Sequence, residues 1–95
     1  MQPTVTVTAE KETNRGWTSV VRINRDSVAT DHTVHLSWVD HDHWSHGSKP
    51  PSDTVRALIE AVLAAEPIRE LPMSFDASTA RRWVADLDQQ IAKRL

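Results

Sequence analysis

The sequence predicts a small α+β domain: a three-stranded antiparallel meander followed by two helices, the first packed across the sheet. Three observations predict it. Apolar and β-branched residues alternate with a period of two in three runs within residues 1–39, which is the signature of half-buried strands. Pro50-Pro51 then fixes φ twice and removes two amide donors, so the strand-rich half is cut off from the rest of the chain. Beyond the prolines the apolar spacing changes to that of a helix. Ninety-five residues make one domain. At that size folding hides roughly two thirds of the chain's surface, enough for one thin core.

The first strand is Thr4–Ala9, where Val5, Val7 and Ala9 share a face and the threonines take the other. Asn14-Arg15-Gly16 supplies a hairpin turn. Trp17 to Ile23 forms the second strand, with Trp17, Ser19, Val21 and Ile23 on one side. Asp26-Ser27 suits another turn. Thr33 to Val39 forms the third strand, with Val34, Leu36 and Trp38 on the core face. Short connections between successive strands favour an antiparallel meander with one dry face.

Residues 40–51 read as a His- and Trp-rich turn and a proline linker. A helix is expected over 52–66, with Ser52 or Asp53 at its N-cap and a stripe of Val55, Leu58, Ile59 and Val62. Glu66 ends it before Pro67. Residues 67–76 form a connection or a short edge strand. A second helix is expected over 77–95, capped by Asp76, with Ala80, Trp83, Val84, Leu87 and Ile91 as its stripe and Ala85-Asp86 as the place where it would break.

Composition excludes several classes. Eleven basic and 13 acidic residues leave a net charge of −2, and neither end carries a charge run, so the electrostatic footprint of a nucleic-acid or membrane-surface binder is missing. Arg81-Arg82 and Arg22 with Arg25 could touch phosphates, but the net charge and the helix acids argue against it. No apolar run approaches the ~20 residues of a membrane span. Cysteine is absent, which removes disulfides, thiolate ligands and thiol nucleophiles and fits a reducing compartment. Without a basic-then-apolar leader at Met1–Val5, a cytoplasmic protein is the expectation.

Phe75-Asp76-Ala77-Ser78, followed by Trp83 and by an acidic, apolar segment ending at Ile91, resembles the tail of a group of short bacterial proteins of unknown function. The preceding helix closed by Glu66-Pro67 resembles that group as well, so the similarity spans about the last 40 residues. It implies a bacterial domain with a capped helix and core positions, and it implies no catalytic residue. The histidine-rich stretch lies outside it.

That stretch, Trp38 to Gly47, holds the candidate chemistry. His41, His43 and His46 interleave with Asp40 and Asp42, and imidazole nitrogen with carboxylate oxygen suits zinc or another divalent metal. His32 and His35 stand ready to add a ligand. The same residues also read as a capped turn with solvated histidines. Four tryptophans and no tyrosine make up most of the aromatic content. Trp17, Trp38 and Trp83 fall on apolar faces, whereas Trp44 falls on none. Trp44 is therefore either a lid over the core or an exposed contact point flanked by His43 and His46.

No nucleophile elbow, phosphate loop or paired carboxylate is present, and Ser45 beside His46 is not a dyad because sequence neighbours point apart. The expectation is thus a non-catalytic interaction or accessory domain with a protein partner, or one that self-associates through the Trp83–Ile91 stripe. The alternatives are a metal-binding protein built on residues 40–46, or a small enzyme with a histidine acid/base at that turn.

Overall fold

The computed structural model describes residues 3–65 and 71–95. In chain order it contains β1 (Thr4–Glu12), β2 (Gly16–Arg25), β3 (Val28–Ser37), α1 (Trp38–Ser45), α2 (Pro51–Ala64), β4 (Ser74–Asp76), a short 3-10 helix (Ala77–Arg82) and α3 (Leu87–Arg94). The strands form one sheet in the order β1-β2-β3-β4. The first three make the antiparallel meander expected from their alternation. The fourth strand was foreseen only as an option for residues 67–76, and it joins β3 in parallel, with Val34 opposite Phe75. The chain must cross the helical layer to reach it, so nothing local dictates the pairing.

The helices cover one face of the sheet. Val5, Val21, Ile23, Val34, Leu36 and Phe75 meet Val55, Leu58, Ile59 and Val62 there. The second layer is α2, buried on two sides because α3 lies against it through Leu87 and Ile91. This uses up the Trp83–Ile91 stripe within its own chain. Ile91 and Leu87 are buried, and Trp83 packs at 5.2 Å from Phe75. The stripe is therefore not the free surface for self-association that its spacing suggested.

Four further differences have local causes. A bulge at Thr8 shifts the register between Val7 and Ala9, so Ala9 is exposed beside Val20 instead of sharing the face of Val5 and Val7. Thr8 Oγ1 donates to the Val20 carbonyl at the bulge. The third strand stops at Ser37, and the expected His- and Trp-rich turn is instead α1. Ser37 is its N-cap, accepting from the Asp40 amide at 3.1 Å, and His46 closes it in the left-handed conformation at φ 55°. Chain reversal at Ser37 turns Trp38 outward, so it does not line the core.

Pro50-Pro51 starts a helix rather than preceding one. Pro51 occupies the first helical position, where a missing amide costs nothing. The helix expected over 77–95 is two pieces, a 3-10 helix and α3, separated at 83–86 where the break was foreseen. Asp86 holds the N-cap position of α3, yet its carboxylate accepts from Gln90 Nε2 at 2.8 Å instead of capping an amide. The expected end of the first long helix at Glu66-Pro67, and the start of the 67–76 connection, lie outside the described residues.

Candidate functional site

Among the described residues the sheet's other face carries no helix, and one end of the sheet forms a cleft of about 420 Å³. Its position follows from register. Thr18 on β2 pairs with His35 on β3, and His35 pairs with Asp76 on β4, so three strands set a threonine, a histidine and an aspartate in one row. The β1–β2 turn adds Thr13 and Arg15, the end of β3 adds Ser37, and Asp40 and Ser78 come from the two helices that begin beside it. Trp17 and Leu36 supply apolar wall. Gly16 brings the turn against β3 so closely that a Cβ there would run into the Leu36 carbonyl oxygen.

Hydroxyls flank both nitrogens of His35. Nδ1 lies 3.1 Å from Thr18 Oγ1, and Nε2 lies 3.4 Å from Ser74 Oγ. No described carboxylate bonds to this ring. Among the described residues Arg15 and Asp76 have no ion-pair partner, so the cleft presents one free charge of each sign. Asp40 is different, because Arg81 Nη1 donates to its Oδ1 at 3.1 Å. Trp17 is half-buried and meets the His41 ring edge-on at 4.8 Å. In the chain between Ser37 and Asp40 come Trp38, at 45% exposure and with its amide donating to the Arg15 carbonyl at 3.1 Å, and Val39, at 77%. The arrangement can hydrogen-bond and shelter a small polar group while Trp38 and Val39 offer apolar contact.

The histidines expected to form a metal site are spread over α1. Residues two apart on a helix point roughly 200° away from each other, so His41 and His43 diverge. His41 Nε2 donates to the Lys49 carbonyl at 2.7 Å. His43 Nε2 lies 3.2 Å from Asp88 Oδ2. His46 is the exposed C-cap. His32 and His35 fall on opposite faces of β3, the first buried with Nδ1 donating to the Pro72 carbonyl at 2.7 Å. Among the described residues no three His, Asp or Glu side chains gather as ligands would.

Trp44 is the lid and not the exposed contact, being 4% exposed. Its Nε1 donates to Asp88 Oδ1 at 2.6 Å, and the Arg81 guanidinium lies over its ring at 4.7 Å. Arg81 Nε also reaches Asp88, at 3.3 Å. The Trp44 hydrogen bond, helped by His43 and Arg81, holds the Asp88 carboxyl below its usual range against the opposing effect of burial. Burial pulls Arg81 down, but its bonds and charge contacts with Asp40 and Asp88 together leave it above its usual value. Asp40, Arg81, Asp88 and Trp44 thus tie α1, the 3-10 helix and α3 together, in a structural role.

Sequence reasoning missed the cleft because β4 defines one wall of it. It also set Trp38 on the core face, where the structure leaves it 45% exposed, whereas Trp44 takes the first of its two expected roles, the lid. The signal for α1 was present: Ser37-Trp38-Val39-Asp40 has the Ser-x-x-acid spacing of a helix start. No protein-family model, curated protein or solved structure matches the chain.

Proposed function

We propose that this domain is a non-catalytic interaction module that grips a protein partner at the end of its sheet, with Trp38 and Val39 as anchors and the adjoining cleft as a polar socket. One observation carries the reading: Trp38 and Val39, 45% and 77% exposed, lie in the chain between Ser37 and Asp40, two residues that line the 420 Å³ cleft. Interfaces concentrate their energy in a few aromatic or apolar anchors surrounded by polar groups that exclude water. In this reading Trp38 and Val39 are the anchors, and the polar groups come from the cleft, which Arg15, Thr18, Ser37 and Asp76 line. The free charges favour a partner segment that brings a polar or zwitterionic group to the socket and an apolar side chain to the anchors.

The test uses affinity capture from the native host with the wild-type chain, the W38A/V39S double variant and the M73S variant, followed by titration of the purified partner. Met73 is also exposed but lies next to β4, away from the anchors. The double variant should weaken binding tenfold or more, as the loss of an anchor worth about 1.4 kcal/mol requires. M73S should bind as wild type does. Equal binding by all three chains would refute the reading.

A further inference from the structure

We infer that the cleft beside His35 binds a small zwitterion of one or two amino-acid residues, with its carboxylate at Arg15 and its ammonium group at Asp76. This deepens the reading of that cleft as a polar socket, on which it rests for the site, and takes nothing from the Trp38 and Val39 anchors.

The carboxylate end follows from how the β1–β2 turn uses its own hydrogen bonds. Thr13 Oγ1 accepts from the Arg15 amide at 3.2 Å, and Ser37 Oγ accepts from the Asp40 amide at 3.1 Å. Each hydroxyl thus gives a lone pair to the backbone and keeps its hydrogen for a ligand. The Arg15 carbonyl takes the Trp38 amide, so the root of that side chain is held on both sides. Its guanidinium has no hydrogen bond or ion pair among the described residues. Thr13, Arg15 and Ser37 all line the cleft. A planar guanidinium accompanied by hydroxyl donors matches the two oxygens of a carboxylate.

The other end is an acceptor. Asp76 stands at the N-cap of the 3-10 helix but caps no amide, and it has no ion-pair partner among the described residues. Asp40, the second acid of the cleft, is already held by Arg81. His35 separates the two free charges. Asp76 lies one strand to one side of it, and the turn that carries Arg15 leads into β2 on the other. With strands about 4.8 Å apart, the row from Thr18 to Asp76 spans about 10 Å.

Charge then decides the class of ligand. A simple anion would meet Asp76 unpaired, and a simple cation would meet Arg15. A molecule with both signs satisfies both. The volume of about 420 Å³ falls at the lower end of small-molecule sites, which suits one or two residues. Trp17 and Leu36 give its side chain an apolar wall.

Titration of the isotope-labelled whole chain with glycyl-leucine, followed through its amide resonances, gives the test. The resonances of Arg15, His35, Ser37 and Asp76 should shift together and saturate. N-acetylglycyl-leucine lacks the ammonium group and glycyl-leucinamide lacks the carboxylate, and each should bind about tenfold more weakly or worse. R15Q should bind glycyl-leucine no better than its amide, and D76N no better than its acetylated form. Both side chains are exposed, so the variants should keep the fold, which the remaining resonances verify. R82Q removes an exposed arginine outside the cleft and should leave binding unchanged. Free leucine, run beside the dipeptide, decides between one residue and two, and saturable binding of either supports the site. No saturable shift, equal binding of all three dipeptide probes, or binding indifferent to both R15Q and D76N overturns the inference. Partner capture that depends on Trp38 and Val39 without dipeptide binding would leave the partner site standing and overturn this inference alone.

Discussion

Trp44 Nε1 donates to Asp88 Oδ1 across 2.6 Å, joining α1 to α3 over 44 residues of sequence. Because the same carboxylate faces Arg81 and His43, its charge is worth more folded than unfolded. Asp88→Asn should cost about 1–2 kcal/mol near neutral pH, the range for a charge-assisted hydrogen bond at a half-exposed site. The sign of the pH dependence follows from the depressed carboxyl. The contribution is fully present above the ordinary aspartate value of 3.8 and is lost as pH falls through the lower folded value. Melting curves of wild type and D88N should therefore converge as pH drops below 3.8. A gap that stays constant there would show that charge is not what Asp88 contributes.

The two tryptophans at either end of α1 should respond in opposite ways. Trp44→Ala empties a buried site and should destabilise the fold by about 3 kcal/mol or more. Trp38→Ala removes a side chain that is 45% exposed and should change stability by no more than about 0.5 kcal/mol. Urea denaturation of both variants distinguishes the lid from the surface anchor.

At Gly16 the limit is steric. A methyl group there meets the Leu36 carbonyl, and φ of 154° is itself uncommon for an L-residue. Gly16→Ala should cost about 3 kcal/mol, through strain and a displaced β2–β3 ladder. Loss of amide-exchange protection should be concentrated at the cleft end of β3.

The Asp26-Ser27 turn stores removable strain. Both residues have positive φ, 50° and 69°, between the paired Arg25 and Val28. This is the backbone of a type I′ hairpin, which asparagine and glycine adopt far more readily. The D26N/S27G variant should gain about 1 kcal/mol, since each left-handed L-residue costs about that much. For a domain of this size the melting temperature should rise by about 4–8 °C.

The meander and α2 were legible because each is written in a local period: two along Trp17–Ile23, and i, i+3, i+4, i+7 along Val55–Val62. Three features were not. The Thr8 bulge adds a residue without altering the alternation that precedes it. The short helix α1 has no apolar stripe, because Trp38 and Val39 face solvent while Trp44 and Ser45 face inward, so only its cap marks it. The strand β4 is three residues long, and its register depends on tertiary packing. The cleft inherits that dependence. Thr18 and His35 follow from the hairpin, but Asp76 joins them only once β4 is placed.

The parallel seating of β4 also orders the events of folding. Both hairpins of the meander close over short loops, and their contacts can form as soon as residue 37 has been synthesised. The other side of β3 must wait. The His32 ring bonds the Pro72 carbonyl 40 residues downstream, and Phe75 finds Val34 only after α2 has crossed the sheet. Closing so long a loop is entropically slow, and local hairpins precede it. The three-stranded template would therefore form before the socket beside His35 exists, and residues 71–95 would complete the fold in one late step.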